Sequence, residues 1–113
     1  MADACVFCRI ARGEIPATIV GESATCVAFR DLDPKAPVHV LVISREHFAS
    51  MNDVKSPAVF GELLALAVEV AKKEGVAERG YRVVLNTNSD GGQSVFHLHA
   101  HVVGGRHMAW PPG

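Results

Sequence analysis

The hydrophobic pattern of this chain changes period several times, and each change marks an element. Residues 38–43, Val38-His39-Val40-Leu41-Val42-Ile43, are apolar on both faces except at His39, which predicts a central strand. At residues 97–101 the run His97-Leu98-His99-Ala100-His101 puts an imidazole at every second position, flanked by Val95, Phe96, Val102 and Val103. On a strand those rings share one face about 6.6 Å apart, while Leu98, Ala100 and Val102 turn to the other. Residues 18–21 and 25–30 predict a hairpin around Glu22-Ser23-Ala24, with Cys26 and Phe29 toward a core, and residues 81–85 predict a further strand.

Between these runs the period lengthens. Val59, Phe60, Leu63, Leu64, Ala67, Val70 and Ala71 recur at three- and four-residue spacing, with Glu62, Glu69, Lys72 and Lys73 on the opposite side. Ser56-Pro57 starts this helix with a capping hydroxyl and a proline at the first helical position, and Gly75 ends it after about 27 Å. Residues 5–12 predict a short helix closed by Gly13 and barred from continuing by Pro16. Loops cover 31–37, with two prolines, and the polar stretch 86–94. The sum is an α+β fold: an antiparallel sheet of about five strands with one long and one short helix.

Composition narrows the class. With 113 residues, 49% of them hydrophobic and 20% charged, the chain suits one globular domain over residues 1–113. A net charge of −1 without a Lys/Arg stripe argues against a dedicated nucleic-acid surface and leaves small anions open. No stretch reaches the ~20 apolar residues of a membrane span, and no basic-then-apolar leader opens the chain, so a cytoplasmic location is expected. An odd cysteine count in a reducing compartment makes a disulfide framework the wrong reading for Cys5, Cys8 and Cys26.

The chemistry concentrates around the histidine row. A lone histidine on an apolar face is usually a satisfied core residue, but three in register beside a glycine-rich loop form a candidate reaction centre. The loop Asn86-Thr87-Asn88-Ser89-Asp90-Gly91-Gly92-Gln93-Ser94 offers backbone N–H groups to a phosphate, with Asn86, Gln93 and Ser94 adding side chains. Imidazoles beside an anion cradle are what phosphoryl or nucleotidyl transfer through a covalent histidine requires. Cys5-x-x-Cys8 is half of a zinc site that two histidines would complete; plain burial of the thiols is the alternative. Asp31 and Asp33 sit in a loop too poor in oxygen ligands for a calcium or magnesium site.

His97-Leu98-His99-Ala100-His101-Val102-Val103 resembles the alternating signature of the histidine triad (HIT) superfamily. The resemblance runs through Gly13-Glu14-Ile15-Pro16, Phe29-Arg30-Asp31, Ala36-Pro37-Val38-His39, Ser89-Asp90-Gly91-Gly92-Gln93-Ser94-Val95, Gly104-Gly105-Arg106 and Trp110-Pro111-Pro112-Gly113. It is nearest the Hint branch, the purine nucleoside phosphoramidases. That resemblance implies His99 as nucleophile, His101 on the phosphate, His39 in the imidazole network and Ser94 assisting the leaving amine. It implies Asp31 on the ribose, Asn86, Gly92 and Gln93 along the phosphate, and Phe7, Ile10, Ile15, Phe29 and Leu32 around the base. It also names the zinc ligands that join Cys5 and Cys8 as His47 and His97, for a structural metal with no cofactor needed in catalysis.

The expected function is hydrolysis of the P–N bond of a purine nucleoside phosphoramidate, such as adenylyl-lysine, through a nucleotidyl-histidine, with release of AMP or GMP. The alternatives are a purine-nucleotide-binding interaction module with vestigial catalysis and a zinc-binding structural protein. Retention of His97, His99, His101 and Ser94 favours the enzyme. The resemblance further implies a homodimer in which Trp110, on a stiff apolar tail, shapes the partner's leaving-group pocket. His107 and Ala109 stand where relatives tend to carry Gln and His, which bears on that tail and not on the triad.

Overall fold

The computed structural model describes residues 4–113; residues 1–3 of the expected domain lie outside the described residues. Its elements are α1 (Val6–Ala11), β1 (Ile19–Glu22), β2 (Cys26–Arg30), β3 (Val38–Ser44), α2 (Pro57–Lys73), β4 (Tyr81–Val84) and β5 (His99–Gly104), with a short 3-10 turn at Met51–Asp53. The strands form one sheet in the order β1-β2-β3-β5-β4, and every neighbouring pair is antiparallel. This is the α+β architecture the hydrophobic periods predict.

Register divides the sheet into two unlike faces. Val40 and Val42 of β3 and Ala100 and Val102 of β5 point to one side, where Leu63, Leu66, Ala67, Val70 and Ala71 of α2 complete a core with Cys26 and Ala28. Small side chains at Ala28, Ala67, Ala71 and Ala100 let helix and sheet approach closely. Gly21 and Gly104 extend that fit, since a Cβ on Gly104 would stand 3.0 Å from Val76 and one on Gly21 would stand 3.2 Å from Val70. On the other side Val27, Phe29, Leu41 and Ile43 pack under Phe7 of α1. Being so short, α1 covers only part of that face. Cys26 and Phe29 are both buried, as expected, but on opposite faces.

The helix ends follow from the sequence with one exception. Gly13 and Gly75, at φ 74° and 79°, terminate α1 and α2 in the left-handed region that lacks a steric penalty only for glycine. Lys72 and Lys73 complement the C-terminal end of α2. Ser56 precedes the expected Pro57, yet its hydroxyl makes no capping hydrogen bond. The strand predicted through His97 begins instead at His99: the Leu98 N–H donates to the Phe48 carbonyl, so the chain is bound to the 45–49 loop before it enters the sheet.

Candidate active site

The open half of the α1 face is a cleft of about 620 Å³ whose lining includes Asp31, His39, Arg82, Asn86, Ser94 and His101. That is ample for a small organic ligand. Strand register builds it: His101 of β5 faces Leu41 of β3, and His39 of β3 faces Val103 of β5, so both imidazoles rise on the side α2 does not cover. The rings of His99 and His101 lie 5.0 Å apart, tighter than the flat-strand spacing because they meet edge to face. Phe7 closes over His99, edge-on at 5.2 Å.

Hydrogen bonds assign each ring its tautomer. His99 Nδ1 lies 2.6 Å from the His97 carbonyl, which only accepts, so Nδ1 carries the proton and Nε2 keeps its lone pair. His39 is set the other way, because the Lys35 N–H donates to its Nδ1 at 3.0 Å and the ring proton must sit on Nε2. That Nε2 donates to His101 Nδ1 at 2.9 Å, which moves the proton of His101 to its own Nε2. The row therefore presents a bare nitrogen on His99 beside an N–H donor on His101.

Electrostatics agrees with neutral rings at His101 and His39. Burial drives His101 down to about 4, with His99 and His39 adding to the shift and Asp31 opposing it. Burial likewise lowers His39, outweighing the Asp31 carboxylate 3.4 Å from its Nε2. Asp31 Oδ1 accepts the Asp33 N–H at 2.8 Å, which folds the loop into an Asx turn at the rim of the cleft.

His97 belongs to a second cluster. Its Nε2 donates to the Ser44 carbonyl at 2.7 Å, leaving Nδ1 bare. Around that nitrogen stand Cys5 Sγ at 3.3 Å, Cys8 Sγ at 3.4 Å and His47 Nδ1 at 3.2 Å, and Cys8 Sγ lies 3.3 Å from His47 Nδ1. Tetrahedral zinc with ordinary Zn–N and Zn–S bonds has ligand–ligand edges of roughly 3.3–3.7 Å. The donor set and its tautomer fit such an ion. The sequence-predicted ligands are thus brought together, with Cys5 and Cys8 presented by the first turn of α1. Asp31, His39 and His101 also approach within 4.8 Å. They fit a metal poorly, since His39 Nε2 holds a proton while Lys35 binds Nδ1.

Most of the remaining expected residues lie in the 86–94 loop, the apolar cluster under α1 and the 31–37 loop. Gln93 is a brace: Oε1 accepts the Asn88 N–H at 2.9 Å, and Nε2 donates to the Ala49 and Val95 carbonyls. The Gly92 N–H donates to the Ser89 carbonyl, and the cleft wall beside this turn includes Asn86 and Ser94. The tight turn they hold needs Gly91, where a Cβ would stand 2.5 Å from the Thr87 carbonyl oxygen. Phe7, Ile10 and Phe29 share one apolar cluster, Ile15 is half-buried, and Leu32 is 97% exposed on its loop. Met108, Ala109, Pro111 and Pro112 line the cleft of their own chain, held by Arg82 through the Met108 and Ala109 carbonyls. Sequence reasoning missed Arg82, the Ser44 and His97 carbonyls and the Lys35 N–H; backbone acceptors and donors leave no residue-type signal.

A model of the HIT domain family matches residues 12–108. The chain is 43% identical over 108 residues to the purine nucleoside phosphoramidase of Escherichia coli K12, covering 94% of this chain and 91% of that protein. It is similar to the crystal structure of a HIT family hydrolase from Legionella pneumophila, with TM-score 0.92 and 50% identity over 96% of this chain and 99% of that one. A Zn-bound histidine triad family protein from Mycobacterium smegmatis matches with TM-score 0.81 and 28% identity, over 94% and 78% of the respective chains.

The buried imidazole makes stability depend on pH. An unfolded chain protonates histidine near 6.5, whereas folded His101 resists down to about 4. Between those values the unfolded state binds more protons, so the contribution present above about 6.5 is lost as pH falls toward 4. Ring chemical shifts should give His101 a midpoint near 4, and denaturant titrations should show unfolding free energy declining across that window, less steeply in His101→Asn.

Proposed function

This chain belongs to the HIT domain family and is a HIT-family hydrolase, and from that premise we propose that it cleaves the P–N bond of purine nucleoside phosphoramidates. The observation that carries the reading is the tautomer pair: a bare Nε2 on His99 beside an Nε2–H on His101. The first suits attack on phosphorus and the second suits a phosphoryl oxygen. Attack by His99 Nε2 forms an N–P bond as the bond to the amine breaks. The departing nitrogen takes a proton passed from solvent through Ser94, and water then cleaves the N–P bond of the nucleotidyl-histidine, returning a proton to solvent as AMP or GMP leaves and His99 is restored. His39 sustains the donor on His101, Asn86 lies along the phosphate, and Asp31 takes the ribose hydroxyls. Phe7, Ile10, Ile15, Phe29 and Leu32 receive the base; an almost fully exposed leucine gains most by covering an apolar ring. The 43% identity to a named phosphoramidase supports this substrate class over a catalytically silent nucleotide-binding module.

We assign the four-donor cluster to a structural zinc, held by Cys5, Cys8, His47 and His97, in a reducing cytoplasmic setting that keeps both thiols available. Four protein ligands leave no open position, so this metal supplies cross-linking and no Lewis-acid step. A homodimer completes the reading: β4 is an edge strand, and Leu64 and Val68 of α2 lie exposed on the side away from the core.

Incubation with an adenosine phosphoramidate should release AMP, and His99→Ala should remain folded and bind AMP while losing turnover by about three orders of magnitude or more. Wild-type-like turnover in the purified variant defeats the mechanism. Elemental analysis after zinc-replete expression should find about one metal per chain, with chelation lowering the melting temperature. Light scattering at micromolar concentration should give a dimer mass, and deletion of residues 108–113 should change selectivity among amine leaving groups with AMP binding retained.

A further inference from the structure

We propose that Arg106 is a positioning residue for this reaction: it fixes the main chain at Lys35 so that His39 and His101 keep their ring protons on Nε2. The inference rests on the phosphoramidase reading above for its catalytic consequence, but its structural half stands without it.

Arg106 follows β5 in the turn Gly104-Gly105-Arg106. Among the described residues its guanidinium makes no ion pair with a carboxylate, which is where an exposed arginine usually goes. Its donors converge on carbonyls instead. Nε and Nη2 both donate to the Lys35 carbonyl, at 3.3 and 3.0 Å, and Nη1 donates to the His107 carbonyl at 3.2 Å. A forked guanidinium grips one oxygen from two directions and so fixes orientation as well as distance.

The gripped residue is the one that sets the imidazole network. On the other side of the Lys35 Cα, its N–H donates to His39 Nδ1. A rotation of that backbone withdraws the donor and frees His39 to place its proton on either nitrogen. If the proton moves to Nδ1, His39 Nε2 becomes an acceptor facing His101 Nδ1. His101 must then put its own proton on Nδ1, which leaves Nε2 bare and removes the N–H meant for the phosphoryl oxygen. Loss of one contact outside the sheet thus allows two tautomers within it to invert.

Neighbouring contacts show that the turn and the loop meet as fitted surfaces. Gly105 has φ +90°, and a Cβ there would stand 2.9 Å from Pro37 Cβ, so the turn lies directly against the 31–37 loop. Lys35 cannot secure itself through its side chain, because its ammonium is engaged with Asp33 of the same loop. Arg106 alone among these contacts ties Lys35 to β5, the strand that carries His101. A direct substrate-binding role is the rival. The commitment of Nε, Nη1 and Nη2 to carbonyls argues against it.

The test compares the full chain with Arg106→Ala and Arg106→Lys by long-range 1H–15N correlation of the histidine rings, together with kcat and KM for an adenosine phosphoramidate. Wild type should show His39 and His101 protonated at Nε2. Arg106→Ala should divide His39 between tautomers and lower kcat roughly tenfold, the scale of weakened acid–base support, with KM within about twofold. Arg106→Lys, which keeps the charge and a donor but not the fork, should recover only part of both. Should the alanine variant fail to fold, Arg106→Gln serves in its place. Unchanged tautomers, altered tautomers with unchanged kcat, or an effect confined to KM each overturn the proposal. Absence of wild-type turnover defeats the phosphoramidase reading instead, while the ring spectra still decide whether Arg106 sets the tautomers.

Discussion

The hydrogen bond from His99 Nδ1 to the His97 carbonyl, at 2.6 Å, is the constraint on which the site depends. Its acceptor is a main-chain carbonyl, which cannot donate in return, so in the neutral ring Nδ1 holds the proton and Nε2 keeps its lone pair. The same device acts on His97, whose Nε2 is bound to the Ser44 carbonyl, and the opposite device acts on His39, whose Nδ1 receives the Lys35 N–H. One residue type thus appears in distinct chemical states within a few ångströms, each chosen by a backbone group.

Those backbone groups are available because the sheet is covered unequally. The seventeen residues of α2 close one face through leucines, alanines and Val70, while the six of α1 cover little beyond Val27, Phe29, Leu41 and Ile43 on the other. Phe7, in the first turn of α1, shields His99 while His101 stays on the uncovered side, and Gly13 ends the helix after six residues.

The elements were legible because their signals are periodic: the alternation at β5, the apolar run of β3 and the helical stripe of α2 each repeat over several residues. Leu66, buried in the core at 3% exposure, escaped the predicted stripe because the stripe is wider than the spacing rule used to draw it. Within the site, residue type and spacing brought out the imidazoles and the Cys pair, and the structure gathers Cys5, Cys8, His47 and His97 as the family resemblance implied. Gln93, expected along the phosphate, has its side-chain amide engaged within the loop. An amide side chain in a glycine-rich loop can serve a ligand or the loop itself, and only the positions of the Asn88 N–H and the Ala49 and Val95 carbonyls decide between them. Lys35 carries no residue-type signal because its contacts to the site are made by its main-chain N–H and carbonyl, and Arg106 carries none because its guanidinium is bound to main-chain carbonyls.

The two histidine clusters divide the work between sheet and loops. His39, His99 and His101 stand on strands whose pairing is continuous, so their spacing is held by the ladder itself. Cys5, Cys8, His47 and His97 all lie outside the sheet, on segments separated by up to 92 residues in sequence. Without a cross-link those segments are joined by a few hydrogen bonds, among them Leu98 to the Phe48 carbonyl and Gln93 to the Ala49 carbonyl. A metal bound by all four donors closes several long loops at once, and the entropy of closing a loop rises only slowly with its length. Its effect would be greatest where the ladder ends, just before β5. His97 occupies that junction: its ring faces the four-donor cluster and its carbonyl orients His99. A metal held by the four donors would fasten these loops and, through His97, would also anchor the carbonyl that binds His99 Nδ1.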